Sequence, residues 1–243
     1  MLFAAWVLAV LSAAMLVAGP LGARVGLWPF LVGFVMLAAA LLDAVAAVIV
    51  GVLAGLRTQR WGAALAAVVV GAIVIAIPLA IVWSGFGAPP IHDITTDPDD
   101  PPLFDAVVRL RAASDSPPAY DGADAAAQQR RAYPDIRPLL VNAPVSRVFD
   151  VALELARERG WQIAAADRAA GRIEAIATTF WFGFKDDVVI RVRSTSAKAT
   201  VDEPDGGTRV DMRSKSRVGV GDLGANARRI QLFVSALRER MPS

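Results

Sequence analysis

Cysteine is absent from all 243 residues, which excludes disulfides, thiolate zinc sites, iron–sulfur clusters and cysteine nucleophiles. Histidine is nearly absent too. The single imidazole, His92, leaves no serine, lysine or tyrosine with an identifiable base nearby in the sequence. Charge is scarce at one end of the chain: residues 1–84 contain only Arg24, Asp43, Arg57 and Arg60. That distribution excludes a single soluble domain and a disordered chain. The net charge of +2 arises wholly in this apolar third, so the pI near 9.4 gives no reason to invoke nucleic acid.

What the first third does contain is three long apolar runs, residues 2–19, 28–56 and 62–83. At about 1.5 Å rise per residue each can cross a hydrocarbon core of roughly 30 Å. Trp6, Trp28, Trp61 and Trp83 fall near the run ends, where amphipathic rings prefer the headgroup level. The loop after the second run carries Arg57 and Arg60 and the loop after the first only Arg24, so the positive-inside rule predicts a cytoplasmic N-terminus and an exported C-terminal domain. Asp43 lies mid-span, at an insertion cost of about 2.5–3.5 kcal/mol. Ser12, at similar depth, is its nearest candidate partner, and a helix-packing role is preferred to a proton relay. Gly51 and Gly55 form a GxxxG suited to close helix approach.

Residues 85–102, with five prolines, read as a stiff acidic tether holding His92, Asp93, Asp97, Asp99 and Asp100, a set with no metal-loop spacing. Residues 103–243 read as a soluble domain. Leu103–Leu110 and Ala123–Ala132 are predicted short helices. PLLV is a strand, Pro144–Arg159 an amphipathic helix stopped by Gly160, and WQIAAAD, RIEAIATT, DVVIRVR and TRVDMRSKSRV four further strands. SAKATVDEPDGG reads as a hairpin excursion, and Asp222–Arg240 as a final helix with an apolar stripe. The predicted fold is three N-terminal transmembrane α-helices plus a C-terminal α+β domain, its antiparallel sheet covered by helices on one face.

Three features are candidates for chemistry. Gly219-Val220-Gly221-Asp222-Leu223-Gly224 matches GxGxxG, but no further strand follows to hold a ribose, so the glycines read as a strand-to-helix turn with Asp222 as N-cap. In the last strand Arg209, Asp211, Arg213, Lys215 and Arg217 share one face. Arg213, Lys215, Arg217, Arg228 and Arg229 therefore form a candidate anion site, weighed against a solvent-exposed face paired with Glu174 or Asp187. The anion-site reading predicts that Arg213→Ala and Arg217→Ala weaken binding to anionic vesicles with little loss of stability, whereas a structural face predicts unchanged vesicle binding. The third feature is the turn around Trp181, Phe182, Phe184, Lys185, Asp186 and Asp187. It is tucked over the core, docked on the membrane interface or the wall of a ligand site, with core tucking the default.

TTFWFGFKDDVVIRVR and GTRVDMRSKSRVGVGDLGANARRI, preceded by PPIHDITTDPDDPP and AAQQRRAYPDI, resemble the domain-of-unknown-function family numbered 1499, in the form that bacterial members carry behind N-terminal spans. The resemblance spans roughly residues 88–240 and implies a membrane-anchored domain, without an activity, catalytic residue or cofactor to carry over. The functional expectation is a non-enzymatic protein of the bacterial inner membrane. Its periplasmic domain binds a protein partner or an anionic envelope component. The alternative is a hydrolase of lipid or wall material built around Lys185, Asp186 and Asp187.

Overall fold

The structure, a computed structural model, describes residues 1–195 and 207–241 in two compact units, Met1–Phe86 with Thr179–Gly183, and the remainder. Of the predicted excursion at 196–207, residues 196–206 lie outside the described residues.

In the first unit, α1 (Leu2–Arg24), α2 (Phe30–Thr58) and α3 (Trp61–Ser84) are each long and apolar enough to cross a membrane. Their seams are made of small residues. Ala5 and Ala9 meet Ala47 and Ala67, and Leu16 meets Ala40, Ala44 and Val74, pairings that fix an up-down-up order. Glycine allows the closest approaches. A Cβ on Gly19 would lie 2.9 Å from the Gly33 carbonyl oxygen, one on Gly51 2.8 Å from Val68 Cγ2 and one on Gly55 2.6 Å from Trp61 Cε3, so both glycines of the GxxxG are used against α3. Ser12 is not the partner of Asp43. Its hydroxyl donates to the Ala9 carbonyl at 2.8 Å within its own helix, the local back-bonding open to a short hydroxyl side chain.

The second unit is built on a six-stranded antiparallel sheet in the order β1-β6-β5-β4-β3. The strands are β1 (Asp93–Thr95), β2 (Leu139–Val141), β3 (Gln162–Asp167), β4 (Arg172–Thr178), β5 (Lys185–Ser194) and β6 (Thr208–Ser216). β1 and β2 lie end to end along the outer edge of β6, with Asp93 opposite Lys215 and Leu139 opposite Val210. Three helices complete the unit: α4 (Gly122–Ala132), α5 (Val145–Glu158) and α6 (Ala225–Glu239). On one face of the sheet, Ile173, Val188, Ile190, Val192, Val210 and Met212 pack under Phe149, Ala152 and Leu155 of α5 and Ile230, Phe233 and Leu237 of α6. This is the predicted helix-covered face.

The stretch read as a solvated tether contains β1, with Asp93 fully buried and His92 nearly so. Three residues among prolines are too short for a periodic signal, and only pairing with β6 reveals them. Leu103–Leu110 is helical only as a 3-10 turn, Ala106–Leu110, consistent with a run that lacks an α-type apolar stripe.

Candidate functional site

Side chains alternate along β6, so Val210, Met212, Ser214 and Ser216 face the helices while Arg209, Asp211, Arg213 and Lys215 point away. This second face was expected to meet solvent. Instead the irregular segment from Asp97 to Asp121 lies over it, leaving Arg213 at 0% and Lys215 at 1% exposure. Arg213 Nε and Nη2 each reach an oxygen of Asp93 at 2.8 Å, a bidentate fork. Its Nη2 also donates to the Pro118 carbonyl at 3.0 Å, and its guanidinium lies 4.5 Å from the Phe104 ring centroid and 5.4 Å from that of Tyr120. Lys215 Nζ lies 3.3 Å from Asp93 Oδ2 and pairs with Asp121. Arg217, just past the strand, donates to Asp187 at 2.7 Å and to the Leu110 carbonyl at 2.8 Å. Arg111 closes onto the other oxygen of Asp187. The stripe is thus a buried ionic layer gluing an irregular cover to the sheet, with partners supplied mainly by that cover.

Glu174, the other expected cross-strand partner, serves the cover differently. Its Oε2 accepts the Asp105 and Val107 N–H groups at 3.0 and 3.1 Å, satisfying donors at the start of the 3-10 turn, and Oε1 pairs with Arg172. Burial and the nearby Asp93 charge push the Tyr120 hydroxyl up to about 12. His92 Nε2 lies 3.3 Å from Asp121 Oδ2, whereas its buried Nδ1 meets no partner among the described residues.

The other candidate residues are dispersed. Arg229, on α6, bonds Ser214 Oγ at 2.8 Å and pairs with Asp186 on the helix-covered face. Asp187, one residue on, points to the ionic face, so Asp186 and Asp187 cannot serve one centre. Arg228 and Lys185 are exposed, with no side-chain partner among the described residues. In the GxGxxG loop the N-cap position falls on Gly224, not on Asp222 as expected; Asp222, two residues earlier, still accepts N–H groups from Gly224 at 2.8 Å and Asn226 at 2.6 Å. Burial raises the Asp222 carboxyl above the ordinary range.

The aromatic turn does not tuck over the sheet core. Thr179–Gly183 belongs to the helical unit, where the Phe182 ring lies 4.6 Å from that of Phe34 and Arg24 Nη1 donates to the Thr179 and Phe180 carbonyls, each at 2.7 Å. Gly183 adopts φ +69°, and a Cβ there would meet Arg24 Cγ at 2.9 Å. Trp181 stands edge-on to Phe180, which is 82% exposed.

A family model described as "Protein of unknown function (DUF1499)" matches residues 93–237. The chain belongs to this family. Searches of curated proteins and of solved structures give no match. The DUF1499 match begins at Asp93, the first residue of β1 and the buried partner of Arg213, and ends at Leu237 in α6. The family segment therefore coincides with the sheet and its ionic layer, and its first residue is the one that sequence periodicity missed. The signal available in the sequence was stoichiometric: a face with four cations needs carboxylates, and the proline-rich stretch before it is rich in them.

Proposed function

We propose that this DUF1499 chain is a non-enzymatic protein of the bacterial cell envelope. Three spans hold the α+β domain on the periplasmic side of the inner membrane, where it binds a protein partner or an anionic envelope component. The observation that carries this reading is the division of cations between the ends of the helical unit. Arg57 Nη1 lies 3.3 Å from Met1 Sδ, so Arg57, Arg60 and the N-terminus share one end, opposite Arg24. Positive-inside then favours a cytoplasmic N-terminus, and three spans carry the chain out. The partner-binding reading rests on what remains available: Arg213, Lys215, Arg217 and Arg229 are engaged within the fold, whereas Lys185 and Arg228 are exposed and unpartnered among the described residues.

Alkaline phosphatase and green fluorescent protein fused in turn after Ser243 test the location. Activity of the phosphatase fusion alone is expected, and fluorescence with no phosphatase activity reverses the orientation. The detergent-solubilised full chain should bind phosphocellulose at low salt, and Lys185→Ser with Arg228→Ser should lower the salt needed for elution. Unchanged elution removes the anion from the proposal and leaves the protein partner.

A further inference from the structure

Hairpin tips exposed to water seldom carry three consecutive aromatics, because each ring left in water forgoes burial of roughly 150–250 Å². The β4–β5 tip carries Phe180, Trp181 and Phe182. Phe182 has its partners in α2, against Phe34 and beside Gly33, where an added Cβ would come within 2.9 Å of its ring. Phe34 lies four residues beyond the helix start at Phe30, or about 6 Å down the span. The ring of Phe182 is therefore at the level where a bilayer's headgroups give way to acyl chains.

The neighbouring Phe180 remains 82% exposed, and so do Leu27 at 73%, Val25 at 62% and Leu31 at 62% on the same helix ends. We propose that Phe180 and Trp181 insert into the interfacial layer of the lipid bilayer, making the β4–β5 tip a fourth membrane contact of a three-span chain. Irregular backbone is tolerated at that depth only when its polar groups are satisfied. Arg24, the last residue of α1, supplies that condition by donating to the Thr179 and Phe180 carbonyls. Its long side chain also suits the headgroup layer, where guanidinium groups snorkel. The partner is a lipid surface, because the exposed groups are rings and aliphatic side chains continuous with the lipid-facing ends of spanning helices.

The inference depends on the helices crossing a membrane but not on which side the domain lies, so it and the reporter experiment fail separately. The absence of native cysteine allows a direct test with the full chain in vesicles of phosphatidylethanolamine and phosphatidylglycerol. Phe180→Cys and, as a water-exposed control, Ala113→Cys are labelled with an environment-sensitive nitrobenzoxadiazole dye. The probe at 180 is expected to emit to the blue of that at 113 and to be quenched several-fold more strongly by lipids spin-labelled near the headgroup. Unlabelled Phe180→Cys should also react several-fold more slowly with a water-soluble maleimide than Ala113→Cys. Equal emission maxima, equal quenching or equal maleimide rates at the two positions overturn the insertion.

Discussion

Arg213 can occupy a site without solvent because each side of its guanidinium meets a partner: Asp93 along one edge, the Pro118 carbonyl, and the rings of Phe104 and Tyr120. An ion pair buried this way adds little net stability over a well-packed apolar pair, since both charges lose hydration. Breaking it is a different matter, because the surviving charge stays buried. Arg213→Ala is therefore expected to cost about 3–5 kcal/mol in denaturant unfolding of the full chain, against less than about 0.5 kcal/mol for Arg228→Ala on the surface. Two equal small losses would show that the cover over the ionic face opens readily. Alternation in β6 made it legible that Arg213, Lys215 and Arg217 share a face. What covers that face was not legible, because the cover is a proline-rich segment held by ion pairs with no period of its own.

Elements whose stability comes from a repeating apolar pattern were the most readable. The three spans, α5 and α6 and the four long strands all present that pattern, and each forms within a few residues of its expected limits. β1 has no such pattern and exists because the edge of β6 offers it hydrogen bonds. For the spans, the sequence also pointed to close helix approach, and α2 and α3 make one at Gly71. A Cβ on Gly71 would fall 2.9 Å from the Ala44 carbonyl and 3.0 Å from Val48 Cγ2, whereas one on Gly62 meets nothing within 4 Å. Gly71→Leu should force α2 and α3 apart and cost about 1–3 kcal/mol, as overpacking does, and Gly62→Leu in the same helix should be neutral or slightly stabilising. Thermal unfolding in mild detergent separates the two. A Gly71→Leu chain that melts with the wild type would mean that α2 and α3 do not pack through this seam.

For the whole molecule, the division into units does not follow the chain. The ionic layer, its cover and the helix-covered core all lie within Gly87–Thr178 and Phe184–Ser243, so that unit contains what its fold needs. The exception is Thr179–Gly183, five residues of the β4–β5 connection that group with the helices. Cutting the chain at Gly87 thus removes Arg24, Gly33 and Phe34 from a tip that keeps Phe180, Trp181 and Phe182. The fragment 87–243 should retain its sheet by circular dichroism yet self-associate through an aromatic patch with nothing to cover it. Replacing Phe180, Trp181 and Phe182 with serine should restore a monomer in analytical ultracentrifugation with the same far-ultraviolet spectrum. Those replacements leave the buried ionic layer untouched, and strands β4 and β5 stay registered by Ile173 opposite Ile190 and Ala175 opposite Val188. A wild-type fragment that stays monomeric at high concentration would show that the tip needs no apolar partner, and the assignment of these five residues to the helical unit would lose its energetic basis.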